Sequence, residues 1–380
     1  MLPLEGVTVV ALEQAVAVPF TTRQLADLGA RVIKVERPGA GDFARNYDTT
    51  VNGMSSHFVW INRSKESIEL DLKSNMGKEA LEKLLEKADV LIQNLAPGAL
   101  ERMGFDPEEL VVKHPKLIVC SLSGYGKNGP YATKKAYDLL VQCEAGLVSI
   151  TGSDAIPSKA GISIADIAGG MYAYSGILTA LLNREKTGRG TILEVSMLEA
   201  LGEWMGYPSY YANYGGTEPQ RAGASHSTIY PYGPFACGDG KTVFIGLQNE
   251  REWKQFCDIV LNQPNLTSDE RFNSNYNRSA NRHELKQLIE SSFTDLASET
   301  VLERVEKANI ANARLNTMKN FFEHPQLKAR DRWDKVDTPV GEIAALKPPV
   351  TMKGLEAVMN PVPALGEHTE KILQELGMDE

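Results

Sequence analysis

The stretch that decides the fold runs from one β-rich segment, Val7-Thr-Val-Val-Ala-Leu12, to a second, Val32-Ile-Lys-Val-Glu36. Between the two segments, Pro19 suits the start of a helix and Gly29 suits its end. A strand, a helix and another strand in this order form a βαβ unit, in which the two strands lie parallel. We therefore expect the N-terminal part of the chain to begin a parallel sheet.

The same alternation continues beyond this unit. Four apolar residues at the spacing i, i+3, i+4, i+7 fall on one face of a helix: Leu81, Leu84, Leu85 and Ala88. Short apolar runs at Val90-Leu-Ile-Gln93 and Leu117-Ile-Val-Cys120 predict further strands. A long helix is expected to follow Asp166 and to stop near Gly188. The pattern predicts an α/β fold, with a parallel sheet covered by helices.

The second half of the chain has a different character. The segment Tyr207–Pro234 is rich in Tyr, Gly, Ser and Pro and lacks periodicity, which is typical of a linker or a functional loop. A strand at Thr242–Gly246 and two amphipathic helices follow and predict a smaller α+β domain that ends near Gln326. The remaining tail is expected to be extended up to a last helix from about Thr369.

Charge and composition exclude several classes of protein. The 380 residues include 40 Lys+Arg and 49 Asp+Glu, a formal net charge of -9, whereas nucleic-acid binding needs a basic face. No run approaches the roughly 18 apolar residues of a membrane span, and the N-terminus has no signal-peptide pattern. We therefore expect a cytoplasmic enzyme with neither nucleic-acid nor membrane partners.

The cysteines give no sign of a metal or redox site. Cys120, Cys143, Cys237 and Cys257 are widely scattered, and no two of them form a CxxC pair. Cys120 and Cys257 lie among apolar residues, which favours buried thiols in a reducing compartment. No metal ligands are predicted.

Several short motifs, read in order, carry a resemblance to a known family. They are LGARVIKVERPG (28–39), NRSKESIELDLK (62–73), PGALERMG (97–104), SGYG (123–126), YD (137–138), DIAGGM (166–171), KTGRG (186–190), HPQLKAR (324–330) and LGEHT (365–369). Any one of these motifs would be weak evidence, but the ordered set covers nearly the whole chain. It resembles the class III CoA-transferases of the CaiB/BaiF type, the group that includes formyl-CoA, carnitine and dicarboxylate CoA-transferases.

The resemblance implies a domain organisation that periodicity alone does not reveal. It implies a large Rossmann-like domain, a smaller α+β domain, and a homodimer whose two chains are interlocked like links. The expected parts are residues 1–205 as the N-terminal part of the large CoA-binding domain, 206–234 as a linker and active-site loop, 235–326 as the small α+β domain, and 327–380 as a return segment that completes the large domain.

Asp166 matches the catalytic aspartate of this family. An Asp ahead of a helical run is also a common N-cap residue, and the two roles could coexist. As a nucleophile, a carboxylate that is ionised at pH 7 would attack an acyl-CoA thioester without a separate base. An aspartyl–acyl anhydride and then an aspartyl-CoA thioester would follow. The resemblance thus implies coenzyme A as part of the substrate, with no tightly bound cofactor.

Other residues fall where the family binds CoA or lines the reaction site. The implied CoA contacts are Arg37, Asn94, Arg102, Met103 and Lys135. The implied site-lining residues are Val16, Tyr137, Asp138, Gly169, Gly170 and His226. Ordinary roles stay open for many of them: solvated surface side chains for the basic residues, a buried core tyrosine for Tyr137, close helix packing for the two glycines, and a plain loop histidine for His226.

Two departures from the family pattern bear on the substrate. Val16 stands where formyl-CoA transferase has a glutamine that contacts the acyl group, and the glycine-rich loop that closes over the aspartate is missing. The segment Ala222–Tyr232 replaces that loop, and His226 within it could meet the carboxylate of an acceptor acid. These departures weigh against oxalate or formate. The same loop resembles that of family members that move CoA between C4 and C5 dicarboxylic acids, often with succinyl-CoA as the donor, and this resemblance implies such a substrate here.

Three other functions are weighed against CoA transfer. A 2-methylacyl-CoA racemase shares this fold but places a His before the Asp that matches Asp138, where this chain has Tyr137, a poorer base at neutral pH. A nicotinamide dehydrogenase would carry GxGxxG after the first strand, and residues 13–18 contain no glycine. A non-catalytic acyl-CoA-binding protein would bind CoA without exchanging it.

Overall fold

The protein is described by a computed structural model over residues 2–378. The chain forms two compact units. The first unit comprises the chain up to residue 147, residues 160–206, and the chain from residue 326 onward. The second unit comprises residues 148–159 and 207–325. Within residues 2–378, no helix has both the length and the apolar character that crossing a membrane requires.

The first unit is built on a six-stranded parallel sheet. Its strands are β1 (Thr8–Leu12), β2 (Arg31–Glu36), β3 (Lys65–Glu69), β4 (Val90–Gln93), β5 (Ile118–Ser123) and β6 (Ile192–Ser196). Their spatial order, 3-2-1-4-5-6, is that of a Rossmann-like domain. In such sheets ligands bind where the strand order reverses, which here is at the carboxyl ends of β1 and β4. The predicted α/β class is confirmed.

Helices connect these strands. They are α1 (Ala17–Asp27), α2 (Ser56–Ile61), α3 (Asn75–Lys87), α4 (Ala99–Arg102), α5 (Pro107–Lys113), α6 (Asp138–Glu144), α8 (Ile164–Thr187) and α9 (Met197–Trp204). The short helix α7 (Leu147–Ile150) follows α6 in the chain, and all but its first residue belong to the second unit. The long helix expected around Asp166 is α8, which begins two residues before Asp166. It ends at Gly188, whose φ of 71° is the left-handed conformation that glycine adopts most easily.

Two apolar cores lie on opposite faces of the sheet. In β1, Val9 and Ala11 join the core that contains α1 and α8, whereas Val10 and Leu12 join the core that contains α3. Successive residues of a strand point to opposite faces, so a sheet covered on both sides needs an unbroken apolar strand such as this one. The run from Val9 to Leu12 is apolar and buried for this reason, and the strand was predictable.

The strand β3 was not predicted from the sequence. Its residues Lys-Glu-Ser-Ile-Glu look like a solvated segment, yet Lys65 and Ser67 are buried. The Lys65 ammonium group lies 2.7 Å from Glu13, a partner 52 residues away in sequence. The charged side chain of Lys65 can be buried only because of that distant partner, so the local sequence pattern could not reveal that β3 is a buried strand.

The second unit contains an antiparallel sheet and its own core. The strands are β7 (Tyr232–Ala236), β8 (Thr242–Gly246) and β9 (Ala311–Arg314), in the order 7-8-9. The helices are α10 (Gly206–Gly215), α11 (Glu250–Gln255), α12 (Asn275–Ala280), α13 (Arg282–Phe293), α14 (Ser298–Lys307) and α15 (Met318–Phe322). Trp253 and Phe256 are buried in the core, as their spacing predicts.

Three expectations about the organisation of the chain need correction. The segment 206–234, expected as a linker, begins with α10, whose proline lies in the first turn, where helices tolerate it. Residues 148–159 pack with the second unit, not with the first, because the Arg221 guanidinium donates to backbone carbonyls at Ser149, Ser153 and Asp154.

The tail expected to be extended also contains regular structure. After α16 (Pro325–Ala329), the antiparallel hairpin of β10 (Trp333–Val336) and β11 (Ile343–Leu346) comes before the last helix, α17 (Thr369–Glu375). The last helix starts where the sequence predicts it.

Candidate active site

Asp166 is the third residue of α8, and its side chain is partly buried. Burial, followed by the negative charge of Asp138, raises the pKa of the Asp166 carboxyl group to about 7. The expectation of a fully ionised aspartate at neutral pH is therefore wrong, because protonated and ionised forms coexist near that pH. A carboxyl group in a tuned environment of this kind is typical of catalytic sites.

Asp138 caps the helix that carries Asp166. The N-cap position of α8 is Ser163, whose side chain makes no capping hydrogen bond. Instead, Oδ1 of Asp138 accepts hydrogen bonds from the backbone N–H groups of Ala165, at 2.8 Å, and Asp166, at 3.4 Å. The structure thus brings two of the predicted residues together, and the capping role considered for Asp166 belongs to Asp138.

Gly169 and Gly170 allow close packing around α8. A Cβ atom on Gly170 would lie 2.7 Å from the carbonyl oxygen of Ala17, and one on Gly169 would lie 3.3 Å from Cγ of Met197. The hydroxyl of Thr21 also donates to the carbonyl of Gly170 over 2.9 Å. Packing explains both glycines, and their contact with substrate stays a prediction.

We expect Gly170→Ala to destabilise the protein by about 1–3 kcal/mol, because α1 and α8 must move apart to admit the methyl group. Gly176→Ala is the matched control in the same helix, since its Cβ would meet only Leu193 at 3.7 Å. That control is expected to be neutral or stabilising by up to about 1 kcal/mol, given the helix propensity of alanine. Urea unfolding of both variants tests this, and equal stabilities would contradict the packing account.

Tyr47 is a residue near the site that sequence reasoning missed. It follows the short 3-10 turn Phe43–Asn46 and is half exposed. Burial, then the charges of Asp42, Asp166 and Tyr137, raises the pKa of its phenol, which places it near both site residues. Tyr137 is 72% exposed, so the alternative of a buried core tyrosine is wrong. No motif in the sequence marks Tyr47.

Asn94 ties together the loops at the reversal of strand order. Its Oδ1 accepts from the backbone N–H of Gln14 and its Nδ2 donates to the carbonyl of Gln14, each over 2.9 Å. The loop after β1 is thereby joined to the loop after β4, and Val16, the buried N-cap residue of α1, follows in the first of them. Asn94 therefore has a positioning role here, and its contact with CoA stays a prediction.

The basic residues predicted to bind CoA are exposed. Arg37 lies 5.7 Å from the ring centre of Phe43, and Arg102 donates to the carbonyl of Pro97 over 3.1 Å. Within residues 2–378, Arg37, Arg102 and Lys135 make no ion pair with an acidic side chain, so their charges are available to an anion. Met103 is half-buried against the core beside α3.

His226 belongs to the second unit and is held in one orientation. Its Nδ1 accepts hydrogen bonds from the backbone N–H groups of Thr228 and Ile229, and its ring stacks on Tyr232 with centres 5.2 Å apart. Because Nδ1 accepts, the neutral ring carries its proton on Nε2. Arg282 fixes the same loop by donating to the carbonyls of His226 and Ser227.

A Rossmann-like sheet and a partly buried carboxyl group of raised pKa in the first turn of a helix are features of the active site of an α/β enzyme. Residues 4–369 match the model of CoA-transferase family III, so the chain belongs to that family. The chain is 35% identical to succinyl-CoA:glutarate CoA-transferase of Mus musculus over 99% of this chain and 87% of the mouse protein. It is 36% identical to acetyl-CoA:oxalate CoA-transferase of Acetobacter aceti over 87% of this chain and 85% of that protein.

A solved structure supports the same assignment. The crystal structure of a CaiB/BaiF family protein from Brucella suis superposes with a TM-score of 0.87 at 33% identity, covering 99% of each chain. The protein is therefore an enzyme that transfers CoA, and CoA thioesters are its substrates. Within residues 2–378, no group of three or more His, Cys, Asp or Glu side chains is placed to hold a metal ion.

Proposed function

We propose that this CoA-transferase works through a covalent intermediate on Asp166 and moves CoA from a donor such as succinyl-CoA to a C4–C5 dicarboxylic acid. The observation that carries the mechanism is the Asp166 carboxyl group itself. It lies in the first turn of α8 beside Asp138, and its pKa is about 7. Carboxylates serve as covalent nucleophiles in other enzymes, and their pKa values are adjusted to the task.

The proposed reaction consists of four successive substitutions at a carbonyl carbon, and in each of them one bond forms as another breaks. The Asp166 carboxylate attacks the donor thioester, the C–S bond breaks, and CoA leaves as a thiolate while the acyl group stays on Asp166 as an anhydride. The thiolate attacks the Asp166 carbonyl, giving aspartyl-CoA and the free donor acid. The acceptor carboxylate then displaces the thiolate to give a second anhydride. The thiolate finally attacks the acceptor carbonyl and releases the new acyl-CoA.

The anhydrides are higher in energy than the thioesters, so the enzyme must supply binding energy. Contacts to the distant nucleotide of CoA can hold the thiolate close to the anhydride between steps. No net proton is taken up, because one carboxylate enters and another leaves. The protein must therefore hold the thiolate and the anhydride close together and keep Asp166 ionised.

We expect kcat/KM to rise with pH through an apparent pKa near 7, because only the ionised Asp166 attacks. Asp138→Asn removes the neighbouring charge that raises the pKa of Asp166, so the midpoint of this rise should move to lower pH. Measuring kcat/KM against pH for both proteins tests the prediction. A midpoint that does not move in the variant would contradict the assigned role of Asp138.

The choice of acceptor acid follows from the named relatives and from Val16. The mouse relative is named for succinyl-CoA and glutarate, and the Acetobacter relative for acetyl-CoA and oxalate. Val16 supports the longer acids over oxalate, since an apolar side chain stands where formyl-CoA transferase has a glutamine that contacts the acyl group. Succinyl-CoA and acetyl-CoA assayed against a panel of mono- and dicarboxylates, with products read by mass spectrometry, test the choice. Transfer to oxalate alone would overturn it.

We expect Arg102→Ala to weaken CoA binding by about tenfold with little change in kcat, since an exposed cation free of acidic partners suits a CoA phosphate. Arg251→Ala, another exposed arginine in the second unit, is the control and should bind CoA like the wild type. Calorimetric titration with CoA gives both dissociation constants. An unchanged constant for Arg102→Ala would contradict the contact.

We also propose the interlocked homodimer that the family resemblance implies. Helix α10 supports self-association, because four of its tyrosines are exposed: Tyr207, Tyr210, Tyr211 and Tyr214. Large exposed apolar groups clustered on one element are typical of interaction sites. Light scattering should give twice the chain mass, and the mass of a single chain would refute the dimer.

A further inference from the structure

Gln142 is a buried polar side chain that the proposed reaction does not use. It lies in α6, four residues after Asp138, and it is fully buried. Its Nε2 donates to Oδ2 of Asp138 over 2.7 Å, and its Oε1 accepts from the backbone N–H of Ala160 over 2.9 Å. Because a backbone N–H can only donate, the amide has one orientation, with its oxygen toward Ala160 and its nitrogen toward Asp138.

Asp138 is thereby held at both carboxylate oxygens. Oδ2 accepts from Gln142, while Oδ1 accepts from the backbone of Ala165 and Asp166. All three partners are N–H donors, so a proton on either oxygen would face another donor, and the arrangement fits the ionised carboxylate. The buried amide of Gln142 thus fixes Asp138, and Asp138 in turn caps α8 and places its negative charge beside Asp166.

We propose that Gln142 is a positioning residue for CoA transfer: through Asp138 it fixes the first turn of α8, and hence the place from which Asp166 attacks. The inference rests on the proposed function, because it takes Asp166 as the nucleophile, and it adds a residue that touches neither substrate nor Asp166. A displacement of about 1 Å at a reacting group can cost roughly 100-fold in rate. Loss of the Gln142 bond should therefore lower kcat more than it weakens binding.

A test of this proposal that compares kcat at two pH values could also respond to other titratable groups near Asp138 and Asp166, and few such groups are present among residues 2–378. Tyr47 lies near Asp166 and Tyr137, and burial raises the pKa of the Tyr47 phenol, so Tyr47 stays neutral over the pH range of the test. On α1, Arg23 and Asp27 act on Tyr174, two turns further along α8. At the far end of α6, Glu144 pairs with Lys134 on the surface.

The variant Q142E separates positioning from stability. Its side chain keeps the shape and one oxygen still accepts from Ala160, but the other oxygen meets Oδ2 of Asp138, and two adjacent carboxylates must share a proton. Lowering the pH supplies that proton and restores the bridge. We expect the kcat of Q142E to be about 100-fold below wild type near pH 8 and within about tenfold near pH 6, with KM for succinyl-CoA changed less than about threefold.

Two further variants keep the test sharp. Q142L has no donor at any pH and should stay low throughout. Ser298→Ala removes the 2.7 Å hydrogen bond from the buried hydroxyl of Ser298 to Asp239 in the second unit, so it controls for a lowered melting temperature without a change near Asp166. If Q142L does not fold, the two pH values of Q142E carry the test.

The outcomes distinguish this inference from the proposed function. A Q142E-to-wild-type rate ratio that is independent of pH, or full kcat in Q142L, would overturn the role of Gln142. A loss of kcat in Ser298→Ala equal to that in Q142L would also overturn it. Absence of transfer by the wild type, or full turnover by Asp166→Ala, would instead refute the proposed function.

Discussion

Asp166→Ala is expected to abolish CoA transfer while the fold stays intact. Every step of the proposed reaction forms or breaks a bond at the Asp166 carboxyl group, so no partial route remains. We expect turnover to fall by at least about 10⁴-fold, the scale seen when a covalent nucleophile is removed. CoA binding should change little, because the predicted CoA contacts lie elsewhere. Turnover near that of the wild type would contradict the assignment.

The stability of the same variant gives a second measurement. The pKa of Asp166 rises from its ordinary value of 3.8 to about 7 on folding, so the folded state favours the protonated form. The cost of the ionised carboxylate is absent below about pH 4, grows as the pH rises, and is complete above about pH 7. Asp166→Ala removes this cost and should be as stable as the wild type or more so at pH 8. Thermal unfolding at two pH values tests it, and lower stability at pH 8 would indicate a structural role.

Lys34→Met is expected to destabilise the first unit by about 3–5 kcal/mol. Lys34 is fully buried, and its ammonium group lies 3.1 Å from Glu13 and 2.7 Å from Asp42. Without the Lys34 ammonium group, the buried carboxylates of Glu13 and Asp42 lose positive charge that offsets the cost of burying them. Asp42 also accepts from the backbone N–H of Ala15, so the loop after β1 should loosen as well.

The matched control removes an exposed ion pair. Lys335 lies 2.6 Å from Glu342, and the two side chains are 77% and 48% exposed, so Lys335→Met should cost less than about 1 kcal/mol. Urea unfolding of both variants gives the comparison. Equal losses would show that the buried cluster contributes no more than a surface pair.

Acid should weaken the same cluster. Burial alone would raise the pKa of Glu13, but the cations Lys34 and Lys65 outweigh it and lower the pKa to about 2. The stabilisation from Glu13 is therefore present above about pH 4.5 and is lost as the pH falls toward 2. The buried ion pairs of Glu13, Lys34, Asp42 and Lys65 are thus structural, although Lys34 and Lys65 stand in motifs shared with the family.

The sequence predicts the elements whose signals are local. Strand β1 contains the apolar run Val9–Leu12, and α8 ends at a glycine that can adopt a positive φ. The strand β3 escaped prediction because its buried Lys65 is compensated by Glu13, far away in sequence. Helix α10 escaped prediction because its tyrosines are exposed and show no apolar face.

The site follows the same division. Asp166 and Asp138 are marked by family motifs, and the structure places them in one hydrogen-bonded group. The raised pKa of Asp166 could not be predicted, since it arises from burial and from a residue 28 positions away. Tyr47 and Gln142 carry no motif, and only the packing of α6 and the turn before Tyr47 brings them near Asp166 or its capping residue.

The central claim, that Asp166 itself carries the acyl group and then CoA, is tested most directly by isotope transfer. In the proposed route the oxygen with which the acceptor acid attacks stays on Asp166 when the new acyl-CoA departs. After many turnovers with acceptor acid labelled with ¹⁸O in its carboxylates, mass spectrometry of the peptide containing Asp166 should show the label in that side chain, and Asp138 should stay unlabelled. An unlabelled Asp166 after sustained turnover would contradict the account.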